Sequence, residues 1–251
     1  MIIVILQARL SSTRYSGKVL KPILGEPMVW RQWERIQRAK AIDGIVLATS
    51  IDSSDDELVQ FFNKKNEKIY RGSLNNVLTR YYQCAKQYMP KHIVRLCADS
   101  PLVDPKVIDQ VVNFHVAENN DYTSNVGFPL GLNVEVMKFS ALEDAYQNAQ
   151  LKSQREHVTL YIYQHPEKFK ISRLKNYTDL SEMRWTVDYL EDFQFVTKVY
   201  EQIYPQNFDF DMSDVLKLLK KYPELSKINS HFNPSEGLTR SLEKDAIMLE
   251  Q

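Results

Sequence analysis

Ile2-Ile3-Val4-Ile5-Leu6-Gln7-Ala8-Arg9-Leu10-Ser11-Ser12-Thr13-Arg14-Tyr15-Ser16-Gly17-Lys18-Val19-Leu20-Lys21-Pro22 joins an unbroken apolar run to a loop with four cations, three consecutive hydroxyl residues and no acid. An apolar run without polar alternation is the pattern of a strand buried on both faces. The runs at 45–48 and 93–97 repeat it, and 185–187 reads as a fourth such strand. Helical periodicity between them predicts helices over 29–40, 57–66, 74–88 and 105–117. Ser54, Asp55 and Asp56 offer N-caps before Glu57, and Asp104 precedes Pro105 at the favoured first helical position. Strand, helix, strand at this spacing implies parallel pairing through crossovers, hence an α/β fold.

Beyond Asn119 the alternation breaks. Two short extended stretches are expected within 121–139, around Gly127, Pro129 and Gly131, then helices over 140–150 and 153–164 and an extended stretch over 168–174. This section is expected to be an insertion over one end of the sheet. A long helix is predicted over 191–204, and residues 223–251 read as a polar tail with weak helical content at its end.

The 251 residues carry 32 Lys+Arg against 32 Asp+Glu, which argues against a nucleic-acid binder working through a bulk positive field. With seven glycines at 17, 25, 44, 72, 127, 131 and 237, neither GxGxxG nor a Walker A loop can be written. No apolar run approaches the roughly 20 residues of a membrane helix. A cytoplasmic protein without a membrane partner is therefore expected, with Cys84 and Cys97 as reduced, largely buried thiols.

A loop of one charge sign at the carboxyl end of the first strand stands where open α/β sheets bind ligands. Arginine forks and lysine point charges can hold a polyphosphate there without a glycine cradle. Asp99 and Asp188 each follow an apolar run, and two carboxylates at one sheet edge can share a Mg2+ that takes its other ligands from phosphate and water. The alternatives are that Asp99 simply makes an Asp-turn and that Asp188 caps the helix starting near Leu190.

The run QARLSSTRYSGKVLKPILGEPM resembles the signature loop of the sugar nucleotidyltransferases, specifically the cytidylyltransferases that activate 3-deoxy-manno-octulosonate and the acylneuraminates. It is most like the branch named for spore coat polysaccharide biosynthesis protein F. IDGIVLATSIDSSDDELV, YRGSLNNVLTRYYQCAK, IVRLCADSPLVDPKVID, DYTSNV, REHVTLYI and RWTVDYLEDFQFV follow in the family's order over roughly residues 1–200. The resemblance implies a Rossmann-like nucleotidyltransferase fold of the nucleotide-diphospho-sugar transferase kind, mostly parallel, with the nucleotidyltransferase domain over 1–204. It also implies an acceptor-side and homodimer insertion at about 121–175, and a C-terminal helical extension and tail over 205–251.

The implied reaction is magnesium-dependent transfer of CMP from CTP to a small acidic sugar-like acceptor, with release of pyrophosphate, for surface polysaccharide or glycoconjugate assembly. In that reading Arg14 and Lys18 are catalytic and hold the phosphates, and Gly17 permits the loop's close approach. Ala8, Arg9, Arg71, Gly72 and Ala98 complete the nucleotide site. Asp99 and Asp188 hold the metal.

Relatives commonly read aspartate where Leu130 and Asn133 stand, and acids near Asn75, Asn76 and Thr79. Fewer carboxylates suit a negatively charged acceptor, for which Asn133, Glu135, Arg155 and His157 are the candidates. His157 could as well be an interface residue. A glycosyltransferase of related fold would favour an Asp-x-Asp motif that Asp99-Ser100-Pro101 does not supply. A catalytically silent nucleotide-binding protein would bind without turnover.

Overall fold

The computed structural model describes residues 1–11 and 14–232. A seven-stranded sheet runs in the order β5-β4-β1-β6-β8-β7-β9. Its strands are β1 (Ile2–Gln7), β4 (Gly44–Ser50), β5 (Ile69–Gly72), β6 (His92–Cys97), β7 (Tyr122–Val126), β8 (Glu135–Lys138) and β9 (Ile171–Lys175). The pairs β1/β4, β4/β5, β1/β6 and β7/β9 are parallel, and β8 alone runs antiparallel between β6 and β7. The mixed α/β architecture and the mainly parallel pairing expected of the apolar runs are both present.

Burial of β1 on both faces explains its unbroken apolar run. Val4 and Leu6 join one core with α1 (Met28–Ile36), α2 (Asp56–Lys64), α4 (Pro105–Ala117) and α8 (Leu190–Ile203). Ile3 and Ile5 join the other with α3 (Val77–Tyr88), α5 (Phe139–Asn148) and α7 (Leu160–Gln164). The chain moves outward from β1 to β4 to β5, then returns to lay β6 on the other side of β1. Ligands of open α/β sheets bind at the carboxyl edge of such a switch point. At that edge the Ala98 amide donates to the Gln7 carbonyl at 2.8 Å, so β1 and β6 end level at Ala8 and Ala98.

Several local expectations need correction. Residues 185–187 are no strand of the sheet; they form an extended crossing whose Trp185 amide donates to the Leu130 carbonyl at 2.7 Å. The single helix expected over 153–164 is two, α6 (Lys152–Glu156) and α7, because Val158 takes a left-handed φ of 48° between them. Asp55 precedes α2 but makes no side-chain cap; its carboxylate is spent elsewhere, as described below. Asp104 does cap α4, accepting from the Lys106 amide at 2.8 Å.

A two-stranded ribbon, β2 (Pro22–Ile23) with β3 (Glu26–Pro27), and a last helix α9 (Met212–Lys221) escaped periodicity altogether. The helical content expected at the end of the tail lies outside the described residues. Among the described residues no helix is long and apolar enough to cross a membrane. Burial pushes the Cys84 thiol up to about 12 and the Cys97 thiol up to about 11, so both are unreactive at neutral pH.

One buried polar pair makes stability depend on pH. The His92 and His115 rings share a hydrogen bond at 3.1 Å, and His115 shares another with the Thr123 hydroxyl at 2.9 Å. Burial, then His92 and Lys138, lowers His115 to about 4, and burial with Lys91 and Lys138 lowers His92. A depressed histidine binds its proton in the unfolded chain first. Stability is thus complete above the unfolded value near 6.5 and is lost as pH falls toward 4, on the order of 3 kcal/mol from His115. Urea midpoints should drop steeply between pH 6.5 and 4.5, and the drop should flatten in His115→Gln; an equally steep drop in that variant would contradict this.

Candidate active site

Asp55 anchors the cationic loop. Fully buried, it accepts from the Leu10 amide at 2.7 Å, the Thr49 hydroxyl at 3.0 Å, the Ser50 amide at 3.1 Å and the Ser50 hydroxyl. The loop is thereby pinned to the end of β4. Gly17 then turns the chain with a φ of 66°, and a Cβ there would meet nothing within 4 Å. Glycine is therefore required for the left-handed turn.

From this turn Lys18 points inward. It is 7% exposed, and its Nζ donates to the Val187 carbonyl at 2.5 Å and to Asp188 Oδ1 at 3.0 Å. Arg14, about a third exposed, reaches the same oxygen at 2.6 Å. The Asp99 carbonyl accepts from the Val187 amide at 2.7 Å and the Thr186 hydroxyl at 3.1 Å, which ties the end of β6 to the 185–188 crossing. Gln32 of α1 fixes the same corner, donating to the Cys97 carbonyl at 2.8 Å. Gly131 lets the crossing lie against its own backbone: a Cβ there would sit 2.7 Å from the Thr186 nitrogen.

Asp99 and Asp188 thus belong to one electrostatic site. Burial raises Asp99, Lys18 opposes the rise, and the negative Asp188 adds to it. For Asp188 burial works against ionisation, but Lys18 and Arg14 outweigh it and hold the carboxyl below its usual range. Asp188 is not a helix cap; that duty falls to Asp192, which accepts from the Asp188 and Tyr189 amides at 2.9 and 3.0 Å. Two close carboxylates, one costly to ionise alone, suit a divalent cation completed by phosphate and water. Among the described residues no group of three or more acids, histidines or thiols gathers.

Ala8 and Ala98 are buried side by side at the strand ends, and Arg9 is exposed beside them. Arg71 and Gly72 are the last residues of β5 rather than following it. Arg71 Nε donates to the Ser50 carbonyl at 2.9 Å, and its guanidinium pairs with Asp56 at 2.7 Å. Gly72 clears the Arg80 stem, since a Cβ there would lie 3.0 Å from Arg80 Cγ.

The acceptor-side candidates spread over different elements. Asn133 borders a cavity of about 690 Å³ with Asn125, Phe128, Lys175, Tyr177 and Glu182, and its Oδ1 accepts from the Gly131 amide at 3.0 Å. Glu135 is saturated by the Arg95 guanidinium, the Tyr122 hydroxyl and the Thr159 hydroxyl, the last at 2.6 Å. Burial would raise it, but Arg95 and these donors hold it below the usual carboxylate range. Arg155 donates to the Ala149 carbonyl at 2.6 Å, and half-buried His157 ends α6. Asn133 therefore faces open space, whereas Glu135 is committed to its protein partners.

Residues missed at sequence level lie on the same face. Gln7 Oε1, Arg80 Nε and Nη2, and Arg95 Nε are buried without a hydrogen-bond partner among the described residues. Arg80, fully buried, lies within electrostatic range of Arg9, Asp55 and Cys97. A signal existed for Arg95, a lone cation inside an otherwise apolar strand run. Buried polar atoms without a partner call for an explanation, and a polar ligand at this sheet edge would supply one.

A mainly parallel sheet with a cationic loop at its switch point and two carboxylates opposite matches the architecture of the nucleotidyltransferase class of α/β enzyme. The profile of the cytidylyltransferase family matches residues 3–228. A protein of Methanocaldococcus jannaschii described as uncharacterized is 37% identical over 235 residues, covering 92% of this chain and 95% of that one. The spore coat polysaccharide biosynthesis protein SpsF of Bacillus subtilis is 33% identical over 238 residues, covering 89% and 95%. A solved cytidylyltransferase from Leptospira borgpetersenii superposes with a TM-score of 0.86 at 28% identity, covering 92% of this chain and 99% of that one. The chain belongs to the cytidylyltransferase family, and is an enzyme of nucleotidyl transfer from CTP.

Proposed function

We propose that this cytidylyltransferase transfers CMP from CTP to a sugar acid or related small acceptor, releasing pyrophosphate, in surface polysaccharide or glycoconjugate biosynthesis. The observation that carries the reading is the convergence of Arg14 and Lys18 on Asp188, beside a half-buried Asp99 whose carboxyl is raised by burial and by the neighbouring Asp188. Mg2+ is the cation proposed for this pair. It would supply charge neutralisation at the α-phosphate and a lowered barrier to deprotonating the acceptor oxygen.

The residues divide the remaining work. Arg14, the more exposed cation, gives up Asp188 for the β- and γ-phosphates, where a planar fork suits phosphate oxygens. Lys18 stays on Asp188 and presents its charge to the pyrophosphate as it leaves. Ala8, Arg9, Arg71, Gly72 and Ala98 form the base and ribose side, with Arg80, whose Nη1 donates to the Ser73 carbonyl at 2.7 Å, offering Nη2 as a further donor.

Asn133 contacts the acceptor directly from the cavity it borders, and Arg155 and His157, which do not line that cavity, are the further acceptor-side candidates. Glu135 acts from behind by holding Arg95, so that the guanidinium's unpartnered Nε faces a fixed direction. Residues 1–204 are read as the nucleotidyltransferase domain, 121–175 as its acceptor and homodimer insertion, and 205–251 as an extension. The protein is proposed to work in the cytoplasm.

The test is incubation with Mg2+, each of the four nucleoside triphosphates and a panel of sugar acids, reading pyrophosphate. Acceptor-dependent release selective for CTP is expected. Consumption of a nucleotide-sugar, with no triphosphate yielding acceptor-dependent pyrophosphate, would overturn the reading in favour of glycosyl transfer.

A further inference from the structure

The chain that follows α9 returns to the carboxylate site. Asn229 is 2% exposed, and its Nδ2 donates to the Arg184 carbonyl at 3.0 Å and to Asp192 Oδ1 at 2.9 Å. Asp192, fully buried, takes Arg184 in a two-pronged grip, Nε on Oδ1 at 2.8 Å and Nη2 on Oδ2 at 2.9 Å. The same Nη2 reaches Asp188 Oδ2 at 3.2 Å. Phe232 stacks on Tyr189 with ring centres 4.1 Å apart and planes 8° apart, and the Arg184 guanidinium lies 5.6 Å from the Phe232 ring centre.

A line of fixed contacts therefore runs from Asn229 through Asp192 and Arg184 to Asp188. It ends on Oδ2, the oxygen that Arg14 and Lys18 do not use. We propose that Asn229, seated by Phe232, is a positioning residue for Asp188, and that the C-terminal extension is a working part of the cation site. By holding Arg184 on Oδ2 it sets the rotation of the carboxylate and so presents Oδ1 to the cation and the phosphate-binding loop.

The physical reason is the bond inventory of Asp192. Without Asn229, Asp192 Oδ1 keeps one donor among the described residues, Arg184 Nε, and the Arg184 carbonyl loses the bond from Asn229. Asp192 Oδ2 stays on the Asp188 and Tyr189 amides, but Oδ1 and the Arg184 backbone are held less firmly, and the hold of Arg184 on Asp188 Oδ2 loosens with them. Groups bonded directly to a metal ligand, as Arg184 is to Asp188, are worth about tenfold or more in metal affinity, and a residue acting through them is worth less. The proposal rests on the reading of Asp188 as a cation ligand.

The experiment is a Mn2+ titration of the full chain in the presence of CTP, read by the spin resonance of free Mn2+, at a temperature where circular dichroism shows every variant folded. Asn229→Ala should raise the Mn2+ dissociation constant by about threefold or more, short of the tenfold of a direct partner, and Phe232→Ala in the same direction by less. Leu219→Ala, a cavity in α9 away from the site, should lower the melting temperature without moving Mn2+ affinity. Wild-type affinity in Asn229→Ala, or an equal loss in Leu219→Ala, would overturn the positioning role. Asp188→Asn separates the two failures: if it abolishes Mn2+ binding while Asn229→Ala does not weaken it, only the positioning role falls. If it leaves binding unchanged, the cation reading falls as well.

Discussion

Asp99→Asn is expected to lower kcat by about three orders of magnitude or more, with the fold intact and thermal stability unchanged or raised. Charge stabilisation by a catalytic cation amounts to several kcal/mol, and each 1.4 kcal/mol or so is tenfold in rate. The amide keeps the Ser100 hydroxyl contact, made at 3.0 Å, but cannot supply an anionic ligand. The stability sign follows from the raised carboxyl: burial and the neighbouring Asp188 make the ionised Asp99 costly in the folded state. A neutral isostere removes that cost, in keeping with strain retained at working sites. Steady-state rates and a melting curve on one preparation check both halves; a kcat within tenfold of wild type would contradict the assignment.

Lys18→Ala is expected to cut kcat/KM for CTP by about 10²- to 10³-fold, the size seen when a donor to developing anionic charge is removed. The amine is buried and held by the Val187 carbonyl and Asp188, so its direction is preset. Asp188 keeps Arg14 and Arg184, and the site should not collapse. Lys18→Arg should rescue poorly, because a planar fork does not fit a pocket shaped around one nitrogen at 7% exposure. Kinetics against varied CTP and varied acceptor decide: an effect on acceptor KM alone would contradict the phosphate role.

The sheet core was legible because β1, β4 and β6 are buried on both faces and so carry continuous apolar runs that mark their positions directly. The helices that pack on them show clear periodicity, and Asp104-Pro105 marks the start of α4. The 185–187 run misled because apolarity reports burial, whereas strand pairing depends on where backbone bonds go. Trp185 is buried under Gly131 and bonded to Leu130. The break at Val158 was illegible because a left-handed valine is set by tertiary contacts that no local propensity encodes.

At the site, the cationic loop and both aspartates could be found since each follows an apolar run. The residues that hold them could not. Asp55 resembles a helix cap in sequence but closes the loop from beneath, and Asn229 lies in a polar stretch with no local pattern at all. Such roles are fixed by contacts between residues distant in sequence.

The most direct test of nucleotidyl transfer at this site uses CTP labelled on the α-phosphorus or on the γ-phosphorus, with Mg2+ and an acceptor that supports turnover. The α label should pass to the acceptor as CMP, the γ label should leave in pyrophosphate, and Asp99→Asn should stop both. Transfer of the γ label to the acceptor, or release of inorganic phosphate in place of pyrophosphate, would contradict the account.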